Sequence, residues 1–304
     1  QNGSVVFEGV NPGEYVLAYK LPGLWRATKQ VTSENYPVSC VPQTRENAGR
    51  SEPFTLGMSN PDTKLYIGAM LSGAISGVVY FDDDDDAKRD EEEAANTDVM
   101  VELISSDQVI ASAAPDADGR YTFAGLAPGR YTVRFTAQEG CGFSSTERTA
   151  ARGGVLASER NISSTRPILV TGGQTMSDAN AGVVRLCSIA GKVWEDQNDN
   201  QAAEDTERAM SGLSVHLMDG AGRNILHTAQ TDENGAFAFE HLKPATYEIR
   251  VDAPQGYVFS GALAGTPLVL EAERDGRGYS APFALLGGVH VDGIGFGLLT
   301  QGTI

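Results

Sequence analysis

The chain has 304 residues, 23 of them basic and 40 acidic, for a net charge of −17, and 41% are hydrophobic. Such a charge repels phosphate backbones and anionic headgroups, which argues against nucleic acid and membrane-surface partners. No apolar run reaches the roughly 18 residues of a membrane span, so no membrane insertion is expected within this segment.

The first element in chain order is a motif that returns twice. Gly3-Ser4-Val5-Val6-Phe7-Glu8-Gly9-Val10-Asn11-Pro12-Gly13-Glu14-Tyr15 reappears at Gly119–Tyr131 and again at Gly235–Tyr247, each time 116 residues on (119 − 3 and 235 − 119). A second mark, Ile75-Ser76-Gly77-Val78-Val79-Tyr80, returns as Ile189-Ala190-Gly191-Lys192-Val193-Trp194, an offset of 114, and Ile304 falls 115 further on. Gly68, Gly182 and Gly297 each stand seven residues before one of these isoleucines. Self-similarity at a fixed period is the signature of a repeat architecture. The expected units are 1–73, the C-terminal part of a repeat with its first strands missing; 74–187 and 188–301, two complete repeats; and 302–304, the start of another. Unit 1–73 is expected to need something outside it to complete its core. Trp25 reads as a loop residue open to a sugar-platform role, whereas Trp194 reads as core.

After the Ile-x-Gly-x-Val strand comes the most acidic stretch, Asp82 to Glu93, with nine acids and two bases for a charge of −7. Read as a twelve-residue calcium loop, it puts Asp82, Asp84 and Asp86 at positions 1, 3 and 5, the Lys88 carbonyl at 7, Asp90 at 9 and Glu93 at 12. A hard cation wants six to eight oxygens, and a turning backbone aims alternate side chains inward before Glu closes the shell. With five consecutive aspartates several registers fit, and a solvated acidic block is the plain alternative. The second loop is not a homopolymer: Asp196, Asn198, Asn200, Glu204 and Glu207 take positions 1, 3, 5, 9 and 12, with the Ala202 carbonyl at 7. It carries −5, so the two loops together hold −12 of the −17. That much like charge costs folding free energy unless a cation or open solvent screens it. Calcium is the expected ion, with magnesium as the alternative.

Further along each repeat, Val99, Val101 and Leu103 alternate with Met100, Glu102 and Ile104, and Val215 and Leu217 flank His216, as half-buried strands do. Asp118-Gly119 and Asn234-Gly235 lie between such runs and read as tight hairpins. Counting runs gives about seven strands per repeat, the number of an immunoglobulin-like sandwich. Of the three cysteines, Cys141 and Cys187 are expected to come to one pole and could bridge, leaving Cys40 spare. The four histidines, His216, His227, His241 and His290, lie in one repeat without metal spacing, and Gly293-Ile294-Gly295-Phe296-Gly297 reads as a strand end, so no enzyme is expected.

The order Ile-x-Gly-x-Val, acidic loop ending in Glu, then Asp-x-x-Gly-x-Tyr/Phe-x-Phe-x-x-Leu-x-Pro-Gly-x-Tyr resembles SdrD B-like domains of bacterial surface proteins, which are related to Cna B-type modules. The resemblance covers both full repeats and the part-repeat. It implies an all-β rod of tandem immunoglobulin-like sandwiches: a calcium-stiffened stalk of a cell-surface or secreted adhesin, outside the bacterial cell. Its partners would be neighbouring repeats of a longer chain. Alternatives are a module binding host protein or glycan, or an accessory domain of an exported enzyme. Two departures stand out. Pro244-Ala245 lacks the corner glycine, and Ala87 and Gln201 replace the glycine at loop position 6. The glutamate that catalyses isopeptide bonds in Cna B-type modules would fall at Tyr19, Phe135 and Val251, so no isopeptide bond is expected and Lys192 reads as an outward strand lysine.

Overall fold

A computed structural model of the protein describes residues 4–28, 40–42, 47–58, 64–144, 155–159, 161–260, 270–274 and 276–300. The start of a further repeat, expected at 302–304, lies outside them. Every regular element among the described residues is a β-strand, and no helix there is long and apolar enough to cross a membrane.

The second unit is organised by the strand Gly73–Phe81, in which Ile75 and Val79 are wholly buried. This strand runs antiparallel to Arg120–Leu126 and parallel to Ala181–Arg185, and so lies inside a five-stranded sheet. A six-stranded sheet holds Gln108–Ala113, Met100–Ser105, Gly129–Thr136, Ile162–Thr165 and Val155–Glu159 in that order, with Ile168–Val170 also on Gly129–Thr136. Val101 and Leu103 turn inward and Met100 outward, because alternate strand residues face opposite sides. Inward residues of both sheets meet in one core that includes Ile75, Leu103, Phe135 and Val183.

The third unit repeats this plan. Cys187–Glu195 pairs antiparallel with Ala236–Leu242 and parallel with His290–Thr300. Its other sheet runs Ile225–Gln230, Ser214–Asp219, Ala245–Asp252, Arg277–Ser280, Leu270–Arg274. A separate core gathers Ile189, Leu217, Ile249, Phe296 and Leu298. Among the described residues, each of these two units contains eleven strand pieces rather than seven uninterrupted strands. Ile162–Thr165 and Ile168–Val170 share one partner, and Thr175–Met176 and Ala181–Arg185 share another, so single strands are counted in parts.

Three local expectations need correction. Asp118-Gly119 forms a turn but not a hairpin, since the strands on either side belong to different sheets. The Asp116 carboxylate accepts the N–H groups of Asp118 and Arg120, at 3.0 and 2.8 Å, and Asp232 does the same for Asn234 and Ala236, both at 2.8 Å. Gly119 and Gly235 there have φ of 78° and 71°. The chain thereby crosses from one sheet to the other. Secondly, Trp25 lies in the strand Trp25–Ala27, paired with Ala69–Leu71, rather than in a loop. Thirdly, Cys141 and Cys187 are free, buried thiols. They belong to the two different cores, which is why they do not meet.

The missing corner glycine has no structural consequence. Tyr15, Tyr131 and Tyr247 each donate their hydroxyl to the carbonyl four residues back, Asn11, Ala127 and Lys243, at 2.7, 2.9 and 2.8 Å. The left-handed residue lies earlier, at Gly9, Gly125 and His241, with φ of 68°, 69° and 58°. Ala245 therefore replaces a glycine whose conformational freedom was not needed. Phe135 and Val251, at the positions of an isopeptide catalyst, are wholly buried apolar side chains, and Lys192 is exposed.

Unit 1–73 contains short pairs, Gly13–Tyr15 with Phe54–Leu56 and Ala18–Lys20 with Ala48–Ser51. Val5 and Phe7 are 79% and 68% exposed, whereas the matching Tyr121 and Phe123 are 4% and 5% exposed. The latter pair lies in Arg120–Leu126, which is covered by Gly73–Phe81. No strand plays that part for Val5 and Phe7 among the described residues.

Candidate metal centre

Both acidic loops spring from the end of a buried central strand. The Asp82 N–H donates to the Val183 carbonyl at 2.9 Å, and the Asp196 N–H to the Leu298 carbonyl at 2.9 Å, so the last ladder bond of each sheet fixes loop position 1. Both carboxylates are wholly buried, unusual for an unpaired acid.

From there the two loops follow one hydrogen-bond plan, offset by 114 residues. The two oxygens of Asp82 accept the N–H groups of Asp86 and Ala87, at 3.1 and 2.8 Å; those of Asp196 accept Asn200 and Gln201, also at 3.1 and 2.8 Å. Position 3 takes the N–H of position 5, Asp84 from Asp86 at 3.2 Å and Asn198 from Asn200 at 3.1 Å. Position 5 in turn takes that of position 7, Asp86 from Lys88 at 2.7 Å and Asn200 from Ala202 at 2.9 Å. Position 12 closes the loop: Glu93 accepts Asp83 and Asp90 N–H at 3.1 and 3.0 Å, and Glu207 accepts Gln197 and Glu204 N–H, both at 3.1 Å. A carboxylate oxygen that accepts a single such bond retains a further lone pair.

This plan brings Asp82, Asp84 and Asp86 together, with one oxygen of each within 4.8 Å of the others. Asp90 is exposed and outside that group. Lys88, read as a carbonyl donor, also places Nζ 2.6 Å from the Asp86 carboxylate. In the second loop the Asn198 and Asn200 amides donate to Glu204, at 3.2 and 2.8 Å, drawing positions 3, 5 and 9 together. A donor set made only of oxygen suits a hard divalent cation. Burial pushes the Asp82 carboxyl above its usual range, against the bonds from Ser144 and the loop N–H groups that lower it. Burial likewise raises Glu93, while the Lys88 ammonium lowers Asp86. A buried carboxylate beside other acids is thus costly as an anion, and a cation removes that cost.

Two pairs of residues that frame position 1 escaped the sequence reading. A Cβ on Gly182 would come within 2.9 Å of the Asp82 carboxylate, and one on Gly297 within 3.1 Å of Asp196. Ser144 and Ser260, 116 residues apart, pack at the same places, and Ser144 Oγ lies 3.0 Å from the Gly182 carbonyl. Gly182 and Gly297 were visible as marks of repeat phase, but their role of making room for a buried acid needs the sheet register to be known.

Loop position 6 is left-handed in both loops, with φ of 60° at Ala87 and 62° at Gln201. Ala87→Gly and Gln201→Gly should therefore each stabilise their unit by about 1 kcal/mol. Urea denaturation should show this as a raised midpoint for the affected unit.

A family model described as SdrD B-like domain matches residues 73–183 and 187–287. Serine-aspartate repeat-containing protein F of Staphylococcus epidermidis is 27% identical over 280 residues, 91% of this chain and 15% of that protein. Serine-aspartate repeat-containing protein D of Staphylococcus aureus (strain Newman) is 30% identical over 158 residues, 52% of this chain and 12% of that protein. The chain thus spans about a seventh of the length of these relatives or less. A solved streptococcal ancillary pilin aligns over 93% of this chain and 77% of its own at 12% identity, with a TM-score of 0.30, too low to add to the fold described above.

Proposed function

The chain belongs to the SdrD B-like domain family, and from that premise we propose that it is a non-catalytic stalk segment of a cell-surface adhesin, stiffened by calcium in its two acidic loops. The observation that carries this reading is the repeated loop plan, in which a wholly buried Asp at position 1 organises the same ladder of bonds 114 residues apart. Asp82, Asp84, Asp86, Asp90 and Glu93 with the Lys88 carbonyl would hold one ion. Asp196, Asn198, Asn200, Glu204 and Glu207 with the Ala202 carbonyl would hold the other.

Two self-contained cores in series fit a load-bearing rod better than a single cleft-forming body. On this reading 74–187 and 188–301 are complete repeats and 1–73 is the C-terminal part of another. The similarity to serine-aspartate repeat-containing proteins supports a place on the outer surface of a bacterium, with neighbouring repeats of a longer chain as the first partners. Calorimetric titration of the metal-free chain with calcium should give heat for two ions per chain. The absence of any binding heat would refute calcium loading.

A further inference from the structure

The five consecutive aspartates face two ways. Asp82, Asp84 and Asp86 converge on one another, whereas Asp83 and Asp85 reach basic side chains elsewhere in the chain. Lys243 Nζ donates to both carboxylate oxygens of Asp85, each at 2.9 Å. Arg185 pairs with Asp83 at 3.4 Å. These partners mark the junction between the two complete sandwiches. Lys243 stands just before the strand Ala245–Asp252 of the following unit, 158 residues beyond Asp85. Arg185 ends the last strand of the preceding unit, with its guanidinium 4.3 Å from the centroid of the Phe81 ring.

Backbone contacts hold the same place. The Arg185 carbonyl accepts the Gly288 N–H at 3.0 Å, and the Cys187 thiol lies 3.1 Å from the Leu286 carbonyl. A Cβ on Gly287 would stand 2.9 Å from the Asp83 carboxylate, so the following unit presses directly on the acidic loop. Asp85 is itself left-handed, with φ of 59°.

We propose that the aspartate run is two interleaved sites: Asp82, Asp84 and Asp86 form its cation side, and Asp85, beside Asp83 where Gly287 of the following unit presses on it, forms a docking face for Lys243 of the repeat that follows, fixing the angle between the two. The cation side rests on the calcium reading above; the docking face does not. The second loop keeps side-chain oxygens at positions 1, 3 and 5 and an aspartate, Asp199, at position 4, but has the neutral Gln197 at position 2.

The test uses the whole chain. A zero-length carbodiimide should join Asp85 to Lys243, identified by mass spectrometry of the linked peptides. Native-state trypsin cleavage after Arg185 reports opening of the junction. Partly exposed ion pairs are modest, so cleavage should quicken about two- to fivefold in D85N and in K243Q, and D85N/K243Q should be no faster than either alone. The swap D85K/K243D should return the rate towards that of the unaltered chain, which loss of an isolated charge would not explain. Calcium heat should persist in D85N and K243Q. Absence of the Asp85–Lys243 link together with unchanged cleavage would overturn the docking face. Loss of calcium binding in D85N, with K243Q unaffected, would place Asp85 on the cation side and overturn the division. If the unaltered chain gives no calcium heat while the link and cleavage results hold, the docking face stands and only the calcium reading fails.

Discussion

Replacing Asp82 with Ala should abolish calcium binding by residues 82–93, leave residues 196–207 able to bind, and weaken the 74–187 unit even without metal. The size follows from what the side chain does. Asp82 is buried and accepts two loop N–H groups: that of Ala87 has no other acceptor assigned, and that of Asp86 is shared with Asp84. Hydrogen bonds to a charged acceptor contribute about 1.5–3 kcal/mol each, but removal also relieves the cost of a buried anion, so a metal-free loss of about 1–3 kcal/mol is expected. Calcium at 100 times its dissociation constant would have added about 2.7 kcal/mol to the unaltered site, and the variant loses that as well. Asp196→Ala should reproduce the effect on the other unit, where the same two bonds recur.

The pH dependence has a definite sign. The Asp82 carboxyl is raised in the fold, chiefly by burial. The metal-free unit should therefore lose stability as pH rises from the ordinary carboxylate range through the raised one, and carry the full penalty at neutral pH. Asp82→Ala should flatten that slope. Melting curves at several pH values, with and without calcium, measure both. Calcium dependence of the 74–187 unit that survives in the variant would remove Asp82 from the site.

Phe135→Ala should have the largest metal-free effect on stability of any single change considered, about 3–5 kcal/mol. Its ring is wholly buried, 5.8 Å from Tyr121 and 6.3 Å from Phe143 between ring centroids, and truncation leaves a cavity among rigid strands. The loss should fall on one unit alone. Phe135 belongs to the core with Ile75 and Leu103, and that core shares no residue with the one built on Ile189 and Ile249. Calorimetry should show the transition of the 74–187 unit moving down while that of 188–301 stays. Ile249→Ala should do the reverse, at about 2–5 kcal/mol. If both transitions move together in either variant, the two sandwiches unfold as one body and serial independence is wrong.

Much of this architecture can be read from one chain because it is written more than once. The 116-residue recurrence of Gly119–Tyr131 at Gly235–Tyr247 predicts two like units, and the alternation at Val99, Val101 and Leu103 predicts which face is buried, since strand periodicity depends only on local geometry. What local pattern cannot carry is the choice of partner. Asp118-Gly119 looks like a hairpin because its turn chemistry is right, yet whether the next strand folds back or crosses to the other sheet depends on contacts over 40 residues away, between Arg120 and Val78. Cys141 and Cys187 share a pole in an up-and-down count but sit in different cores, a fact about burial that spacing does not encode.

The candidate site divides in the same way. The oxygen-bearing side chains at positions 1, 3, 5, 9 and 12, the proposed ligand set, are legible from sequence because a loop of fixed length repeats. The glycine expected at position 6 marks a real left-handed bend, occupied here by Ala87 and Gln201. By contrast, the room Gly182 makes for Asp82, and the pairing of Asp85 with Lys243, arise from segments about 100 and 158 residues away (182 − 82 and 243 − 85). Only the assembled sheets bring these together.

The central claim is that calcium in these loops stiffens a rod of sandwiches. Small-angle scattering of the chain, with calcium and then with excess chelator, tests it most directly. A longer maximum dimension and a narrower spread of shapes with calcium, lost on chelation while both sandwiches stay folded, is the expected result. An unchanged scattering profile would contradict calcium stiffening and return both loops to plain solvated acid.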